Sequence, residues 1–348
     1  MAAILGRTLK ELKRESEKAD FAAYRAEQVF NWIYRNFILT PSEMENLPGD
    51  YQQFLEEEYD LNLLEIQEKS VAGDGAVKFL WSTDEDDSIE SVLLPQSHKR
   101  RFTACISSQI GCNVGCSFCA TGLDGKSRDL EAAEIVEQVW QMAKYLRNED
   151  RGLIRNIVYM GMGEPFLNYG QVKKSLKIFI SGEGFDFGRR RITVSTVGII
   201  PVIEKFARDF PQVGLAISLH SADEDKRSRL VPVNNKYSLS QLKDSLREYN
   251  EMTGRRVTLE YILLEGENDS REDAEYLSQF CQGLKSHVNI ISANPVPRLD
   301  IESPARGRLY RFKSWLEELD ISATIRKSRG RENEAACGQL RQNRRHDS

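Results

Sequence analysis

Short apolar runs alternate with longer amphipathic stretches along the chain from residue 100 onward. Apolar runs bounded by turn residues are typical of buried strands, and apolar residues spaced three or four apart predict helices. The predicted strands are Phe102–Ser107, Asn156–Met162, Arg191–Thr196, Gly214–His220, Val257–Leu264, Val288–Asn294 and Ser322–Lys327, and the helices between them include Leu130–Leu146, Gln171–Ile180, Leu239–Met252, Arg271–Leu284 and Arg308–Leu319. This α/β alternation builds a parallel sheet through right-handed crossovers, in either a doubly wound sheet or a full or partial barrel. Both architectures carry their sites at the C-terminal ends of the strands.

The pattern before residue 100 is different. Helical spacing covers Leu9–Lys18 and Ala23–Asn36, whereas Ala76–Trp81 and Ile89–Leu94 are predicted as two strands joined by an acidic turn. We expect an N-terminal accessory domain over residues 1–98, a catalytic domain over residues 99–340, and a C-terminal tail over residues 341–348. The boundary between the two domains is predicted near Pro95–Arg101.

The composition of the 348 residues favours a reducing, aqueous compartment. The N-terminus lacks the apolar core of a signal peptide, and no apolar run is long enough to span a bilayer. The six cysteines are too sparse for a disulfide scaffold, and their clustering indicates metal or redox chemistry. We therefore expect a cytoplasmic protein that has no association with a membrane.

The net charge of −5 argues against attraction of the whole surface to nucleic acid. Basic residues nevertheless form local runs at residues 99–101, 189–191, 255–256 and 326–331. Each run alone is more often a solvated face than a binding patch, but several runs can converge on one rim and contact phosphates. The charge pattern permits an RNA substrate without requiring one.

Chemically suggestive residues follow six of the predicted strands. Each has an ordinary structural interpretation, such as a turn at Gly161–Gly163, a helix cap at Ser195 or a buried core residue at His220. Their recurrence at strand ends favours a common site. The set comprises the cysteine loop after the first strand, Gly161–Pro165 after the second, Ser195 and Thr196 in the third, Ser218, Leu219 and His220 in the fourth, Asn294 after the sixth, and Cys337 beyond the last.

The cysteine loop holds Cys112, Cys116 and Cys119 at Cys-x3-Cys-x2-Cys spacing. Three thiolates on a [4Fe–4S] cluster leave the fourth iron open for a ligand from outside the protein. The alternative is zinc, but a structural zinc site usually closes with four ligands, and the loop offers no fourth Cys or His. Glycines at 111, 115 and 122 suit a loop that wraps closely around a ligand. The spacing resembles the radical S-adenosylmethionine (radical SAM) superfamily.

Longer stretches resemble the RlmN and Cfr family of radical SAM RNA methyltransferases. The likeness covers nearly the whole chain, and its most specific part is the pair Cys105 and Cys337. The matching stretches are residues 24–34 (YRAEQVFNWIY), 89–95 (IESVLLP), 105–122 (CISSQIGCNVGCSFCATG), 160–165 (MGMGEP), 217–221 (ISLHS) and 335–340 (AACGQL).

The resemblance implies a partial (βα)6 radical SAM barrel with a small helical N-terminal domain. It also implies two cofactors, a [4Fe–4S] cluster held by Cys112, Cys116 and Cys119, and S-adenosylmethionine. The residues expected to contact S-adenosylmethionine are Gly163, Glu164, Ser195, Ser218, Leu219, His220 and Asn294. Glu, Ser and Asn side chains can bond the amine and the ribose hydroxyls of such a ligand.

In this family the target is an adenine ring carbon, C2 in RlmN and C8 in Cfr, which is too poor a nucleophile to take a methyl group directly. The resemblance implies that Cys337 first accepts a methyl group and that a deoxyadenosyl radical from a second S-adenosylmethionine activates it. The resulting carbon radical adds to the ring, and Glu90 is the expected proton acceptor. Cys105 then attacks the Cys337 sulfur, which releases the RNA and leaves a disulfide bond that must be reduced.

The implied partners are RNA and an electron donor such as flavodoxin or ferredoxin, and the protein is expected to be a monomer. The RNA substrates of the family are large-subunit (23S) ribosomal RNA and, for RlmN, also transfer RNA, with residues 189–191 and 326–331 expected to hold the backbone. Pro165 favours RlmN over Cfr, where Ala is typical. The sequence departs from the usual family pattern at two places, both expected to lie close to the RNA and cofactor pocket. Glu332-Asn333-Glu334 stands where Asp-Ile-Asp is usual, and residues 290–294 (IISAN) stand where Asn-Leu-Ile-Pro-x-Asn is common.

Three alternatives stay open on sequence alone. A Cfr-like enzyme would methylate C8. A radical SAM enzyme for a peptide or small molecule would keep the Cys112 loop without needing the pair Cys105 and Cys337. A metal-stabilised RNA-binding module would not use S-adenosylmethionine. Cys281, inside a predicted amphipathic helix, is assigned to the core.

Overall fold

A computed structural model describes residues 2–83, 87–97, 100–123, 125–296, 299, 301, 303–326, 329–330, 332–334 and 338–340. The strands in this part of the chain are β1 Ala2–Ala3, β2 Tyr59–Asp60, β3 Glu65–Val71, β4 Val77–Ser82, β5 Ser88–Pro95, β6 Arg101–Ile106, β7 Gln109–Gly111, β8 Lys126–Asp129, β9 Leu153–Tyr159, β10 Ile192–Thr196, β11 Gly214–Ser218, β12 Val257–Leu263, β13 Ser286–Ser292 and β14 Ala323–Arg326. The α-helices are α1 Leu9–Lys18, α2 Tyr24–Asn31, α3 Gly49–Glu58, α4 Ala132–Asn148, α5 Tyr169–Phe179, α6 Ile200–Asp209, α7 Glu224–Leu230, α8 Leu239–Thr253, α9 Arg271–Cys281 and α10 Arg306–Glu318.

Ten strands form one sheet in the order β14-β13-β12-β11-β10-β9-β6-β5-β4-β3. The strands from β6 to β14 in this sheet are parallel, and each lies beside the next in sequence. A doubly wound sheet would reverse its strand order at a switch point, so the order decides between the two predicted architectures. Ser195 on β10 and Arg326 on β14 line the same cavity, which shows that the parallel strands curve into a partial barrel with open edges.

The first three strands of the sheet come from the N-terminal region. β3, β4 and β5 form an antiparallel meander, and β5 pairs antiparallel with β6, the first strand of the barrel. The expectation of a helical N-terminal domain was therefore incomplete, because the region also extends the barrel sheet. The division at Pro95–Arg101 into two domains stays a prediction.

Local sequence signals explain where the predicted helices begin and end. Thr8 and Glu11 form a capping box at the start of α1, and Ser238 and Gln241 form another at the start of α8. Gly254, at φ +68°, ends α8 in the left-handed conformation that glycine adopts without strain. Predicted helix Ala23–Asn36 is α2 followed by a π-helical turn over Trp32–Asn36.

The buried faces of the strands and helices form one apolar core. Cys281 lies buried on α9 within this core, as predicted. Helices α3, α6 and α7 and strand β3 were not among the predicted elements. Helix α7 is short, α3 and β3 have few apolar positions, and α6 is amphipathic and could have been predicted. β3, for example, is exposed along nearly its whole length as the edge of the sheet. In the described part of the chain, no helix combines the length and apolar character that crossing a membrane requires.

Helix α4 joins the N-terminal helices to the barrel. The indole nitrogen of Trp140 donates to the carbonyl of Ile33 at 2.7 Å, and the carboxylate of Glu137 accepts the backbone N–H of Leu63 at 2.9 Å. Glu137 is completely buried, and burial raises its pKa to about 7 because the charged form loses its hydration. The carboxyl group of Glu137 therefore titrates differently in the folded and unfolded chain.

This difference predicts a pH dependence of stability. Folded Glu137 keeps its proton up to about pH 7, whereas a carboxyl group of ordinary pKa 4.5 loses it earlier, so the free energy of unfolding falls as pH rises between these values. Glu137→Gln removes this contribution. Relative to wild type, the variant should gain about 1–3 kcal/mol in urea unfolding between about pH 4 and about pH 8. Glu149→Gln, at the exposed end of α4, is the control, and parallel pH profiles for Glu137→Gln and wild type would contradict the assignment.

Candidate active site

The cysteine loop leaves the carboxyl end of β6 and is closed by the small β7–β8 hairpin. The N–H of Cys112 donates to the carbonyl of Gly125 at 3.0 Å, and the N–H of Cys119 donates to the carbonyl of Cys116 at 3.2 Å. Gly111 has φ +72°, and a Cβ there would lie 1.9 Å from the Gly125 oxygen. The loop therefore needs glycine at this position to approach the neighbouring hairpin strand.

The three cysteines of the loop line one cavity of about 160 Å³. Burial raises the pKa of Cys112 to about 12 and raises that of Cys116 well above its ordinary value. Thiolates held in such surroundings need a nearby cation to be stable. Among the described residues, no group of three or more His, Cys, Asp or Glu side chains is arranged to hold a metal ion.

The register of the sheet places the other site residues on one face. Directly paired residues point to the same side of a sheet, and the pairings run from Ser218 on β11 to Glu260 on β12 and on to Asn289 on β13. Towards β6, the same register continues. Cys105 on β6 pairs with Val158 on β9, and Val158 pairs with Thr193, which lies two residues before Ser195 on β10. This concave face therefore carries Cys105, Ser195, Ser218 and Glu260 together.

Glu164 lies after β9, buried at the edge of the cavity. Its two carboxylate oxygens accept the backbone N–H groups of Phe166 at 2.9 Å and Val197 at 2.8 Å. Burial is the largest effect on its pKa, which rises to about 7. Gly163 before it has φ +94°, and a Cβ there would lie 2.5 Å from the side chain of Gln109. The glycine thus lets the turn pass close to β7.

His220 lies after β11 with a left-handed backbone, at φ +61°. Its Nδ1 accepts the N–H of Ile262 at 3.0 Å, and burial lowers its pKa to about 3, so the ring is neutral. The ring packs edge-on against Phe118 of the cysteine loop. His220 therefore connects the cysteine loop to the strand that follows it in the sheet.

The sequence analysis missed Arg227 on α7, which is buried and positions two of the loops around the cavity. Its guanidinium donates to the carbonyls of Leu219 at 3.2 Å and Val197 at 2.7 Å, and to the side chain of Asn234 at 2.6 Å. Burial lowers its pKa to about 10, so it stays charged near neutral pH. Nothing in the local sequence distinguishes Arg227 from the other charged residues of its short helix.

The sequence analysis also missed Glu260, on the cavity wall. Its Oε1 accepts the amide of Asn289 at 3.1 Å, whereas its buried Oε2 has no hydrogen-bond partner and lies 3.8 Å from Arg326. Burial raises the pKa of Glu260. A charged residue inside an apolar, doubly covered strand is unusual, and this signal in residues 257–264 was available in the sequence.

Cys105 and Glu90 lie beside this cavity, on neighbouring strands. Cys105 pairs with Val92, so Glu90, two residues earlier on β5, shares its face of the sheet. Both side chains are buried, and Lys78 of β4 forms an ion pair with Glu90 at 3.0 Å. The structure thus brings Glu90 and Cys105 onto the concave face. Lys78 was missed because its role comes from this ion pair between neighbouring strands, which the sequence alone does not reveal.

Not every predicted residue lines the cavity. The described lining includes Gly163, Glu164, Ser195, Ser218, His220 and the three loop cysteines, and the hydroxyls of Ser195 and Ser218 lie 3.3 Å apart. Leu219 and Asn294 are buried next to the lining residues rather than among them. Cys337 lies outside the described residues, and its disulfide pairing with Cys105 stays a prediction. Gly338 and Leu340, which follow it, do line the cavity.

The structure separates the two basic runs that were expected to hold RNA at one rim. Arg189–Arg191 precede β10 and lie at its amino end, whereas Arg326 lies at the carboxyl end of β14. In a parallel sheet these positions are at opposite ends of the barrel. Arg189–Arg191 are exposed, but they do not belong to the rim of the cavity.

Comparison with known proteins agrees with this geometry. A profile of the Radical SAM superfamily matches residues 106–277. A crystal structure of a radical SAM methyltransferase from Sphaerobacter thermophilus superposes with a TM-score of 0.93 at 43% identity, covering 98% of this chain and 99% of that one.

Curated relatives are similar over the full length. Proteins named "Probable dual-specificity RNA methyltransferase RlmN" from Fervidobacterium nodosum and Thermotoga maritima are each 42% identical, with at least 97% of both chains covered. The protein of the same name from Geobacillus kaustophilus is 40% identical over 98% of this chain and 93% of its own length. Identity of this extent, together with the cysteine loop and the partial barrel, shows that the chain belongs to the RlmN family of the radical SAM superfamily.

Proposed function

We propose that the protein is a radical SAM RNA methyltransferase that methylates C2 of an adenosine through an S-methylcysteine intermediate. The observation that carries this proposal is the shared concave face. Cys105 and Glu90, which a direct methyl transfer would not require, lie on the same face as the residues predicted to hold S-adenosylmethionine. The names of the full-length relatives support RNA as the substrate.

Cys112, Cys116 and Cys119 would hold a [4Fe–4S] cluster. The donor set fits this cofactor, because three soft thiol ligands leave one iron open. When bound, the cluster supplies the electron that splits S-adenosylmethionine reductively. Cys112 and Cys116 are partly buried, which limits the water that would compete at such a centre.

The cavity beside the loop suits S-adenosylmethionine. Ser195, Ser218 and Glu164 provide polar groups, Gly163 brings backbone close to the cavity, and His220 offers a neutral ring. Buried Oε2 of Glu260 is an acceptor that lacks a protein partner, and S-adenosylmethionine carries both hydroxyl donors and positive charge. Leu219 and Asn294 stay in the proposed binding set because they lie buried just after the ends of β11 and β13.

The second part of the reaction needs three groups of this chain. Cys337 accepts the methyl group and later carries it to the adenine carbon, which leaves protein and RNA covalently joined. Glu90 accepts the ring proton, and Lys78 at 3.0 Å stabilises the carboxylate form of Glu90 that takes it. The Cys105 thiolate attacks the Cys337 sulfur, and the bond from that sulfur to the RNA methylene carbon breaks. The methylene carbon keeps the electron pair and takes a proton to become the methyl group, and an external reductant restores the two thiols.

The proposed substrates are large-subunit ribosomal RNA and a transfer RNA. The target adenine must leave its stack to reach a buried cavity, so the enzyme acts on a loop or on a flipped nucleotide. An electron donor such as flavodoxin or ferredoxin, a monomeric state and a cytoplasmic location complete the proposal as predictions. Pro165 supports C2 over the C8 alternative.

The target atom is tested in a strain that lacks the gene. RNA from that strain should lack 2-methyladenosine, and the wild-type protein should restore it in both ribosomal and transfer RNA, as measured by mass spectrometry of nucleosides. Restoration of 8-methyladenosine instead would identify a Cfr-like enzyme. If neither nucleoside is restored, the proposed RNA methylation is wrong.

Loss of any loop cysteine should remove the cluster without unfolding the protein. We expect Cys112→Ala, Cys116→Ala and Cys119→Ala each to lose iron and RNA methylation while the fold is kept, because the three side chains line the cavity and are only partly buried. Iron content after anaerobic reconstitution is compared with circular dichroism, and Cys281→Ala is the control. Wild-type iron content in the three loop variants would refute the assignment.

The two-cysteine chemistry predicts a trapped adduct. Cys105→Ala should accumulate a covalent protein–RNA complex, because the thiolate that cuts the Cys337 sulfur free is missing. Cys337→Ala should form none, since it has no atom to carry the methyl group, and Cys281→Ala should behave like wild type. A denaturing gel shift that nuclease removes measures the adduct. An adduct from Cys337→Ala, or none from Cys105→Ala during turnover, would overturn the mechanism.

A further inference from the structure

The turn between β3 and β4 is a compact, internally bonded structure. The N–H of Ala72 donates to the carbonyl of Ala76 at 2.9 Å, and the N–H of Gly75 donates to the carbonyl of Ala72 at 2.8 Å. Asp74 adds a third bond, because its Oδ1 accepts the N–H of Ala76 at 3.0 Å. The turn is therefore held in shape before it meets any other part of the chain.

The C-terminal segment attaches to this turn from both sides. Oδ2 of Asp74 accepts the N–H of Gly330 at 2.9 Å, and in return the N–H of Gly73 donates to Oε2 of Glu332 at 2.8 Å. The amide of Asn333 donates to the carbonyl and the hydroxyl of Ser70, at 3.1 Å and 3.2 Å. We call these contacts, between residues 70–74 and residues 330–333, the clasp.

The same segment is fixed again five residues later, at the cysteine loop. The carbonyls of Gly338 and Leu340 accept the N–H of Ala120 at 2.8 Å and the hydroxyl of Thr121 at 2.5 Å. The amide of Gln339 donates to the carbonyl of Pro295 at 2.8 Å. Contacts thus hold the chain on both sides of residues 335–337, which lie outside the described residues.

Two anchors so close in sequence restrict the conformations of the residues between them. Five Cα–Cα steps of about 3.8 Å join Asn333, the last residue of the clasp, to Gly338, so the segment between the two anchors is short. If the clasp opened, the segment that leads to Gly338 would be longer by the residues of the clasp, and the conformational entropy of ordering it would rise. The clasp therefore shortens the segment that must be ordered before Gly338.

We propose that the clasp is a positioning element for Cys337, which holds it where it can accept the methyl group. This inference rests on the proposed function. Thiolate attack forms the bond from the Cys337 sulfur to the methyl carbon and breaks the bond from that carbon to the sulfonium, whose electron pair stays on S-adenosylhomocysteine. Such a displacement depends strongly on alignment. The clasp also joins the C-terminal segment to the meander that carries Lys78 and Glu90.

The clasp accounts for a departure noted in the sequence. Glu332-Asn333-Glu334 stands where the family usually carries Asp-Ile-Asp, and the side chains of Glu332 and Asn333 are both used in the clasp. An isoleucine at 333 would have no donor for Ser70. The departure therefore concerns the attachment of the segment, and it does not by itself change the reaction.

The test measures methylation of Cys337 separately from RNA. Enzyme purified without its cluster and then reconstituted anaerobically is mixed with S-adenosylmethionine, and the Cys337 peptide is followed by mass spectrometry. The double variant Glu332→Ala/Asn333→Ala should acquire the methyl group about tenfold more slowly, while its affinity for S-adenosylmethionine in equilibrium dialysis stays within about twofold of wild type.

Two further variants separate positioning from general disruption. Glu332→Gln keeps an acceptor oxygen for Gly73, so loading, meaning methylation of Cys337, should proceed at nearly the wild-type rate. Gly73→Ala leaves the C-terminal sequence intact but places a Cβ 3.0 Å from the Glu332 carboxylate, and should slow loading like the double variant. Glu68→Ala, an exposed carboxylate on the same hairpin, is the matched control.

Each outcome is decisive. Slower loading at unchanged affinity supports the clasp as a positioning element. Wild-type loading in both the double variant and Gly73→Ala overturns it, and so does a parallel fall in loading and affinity, which would indicate damage to the cavity. A wild-type enzyme that binds S-adenosylmethionine but never methylates Cys337 would overturn the proposed function, and the clasp proposal with it.

Discussion

The register of one ten-stranded sheet is the constraint on which the site depends. Because side chains alternate between the two faces of a strand, a shift of one residue between β11 and β12 would move Glu260 to the opposite face from Ser218. The same holds between β5 and β6, where the pairing of Val92 with Cys105 sets the face of Glu90. Functional side chains on separate strands are therefore aligned by backbone hydrogen bonds, long before any ligand contacts them.

Burial supplies the second layer of organisation. Glu164 is satisfied by two backbone N–H groups, and Arg227 by two carbonyls and an amide. These groups are costly to bury and would be expensive to leave unpaired, so they fix the loops that follow β9, β10 and β11 in one arrangement. Rigid loops around a cavity suit a reaction in which a reactive species must meet one atom and no other.

Much of this could be predicted from the sequence, for identifiable reasons. The strands and helices of the barrel have strong periodicity, and capping residues such as Ser238 and Ser270 mark where α8 and α9 begin. The cysteine loop and the strand-end residues were found because their types and spacing carry chemistry. Lys78, Arg227 and Glu260 were missed because their importance comes from strand pairing and burial, which link residues far apart in the chain. The distance between Arg189–Arg191 and the cavity was missed for the same reason, since a basic run does not reveal which end of a strand it occupies.

The continuity of the sheet from β3 to β14 has a mechanical consequence. Enzymes that close one domain over another use a hinge, and a hinge needs a connection that few hydrogen bonds cross. Here β5 and β6 are paired along Val92–Pro95, so the meander cannot swing away from the barrel without breaking a buried ladder. The substrate must therefore reach the cavity by its own movement or by movement of short loop segments. A large RNA would meet a concave surface that is already formed and rigid, without closure of one domain over another.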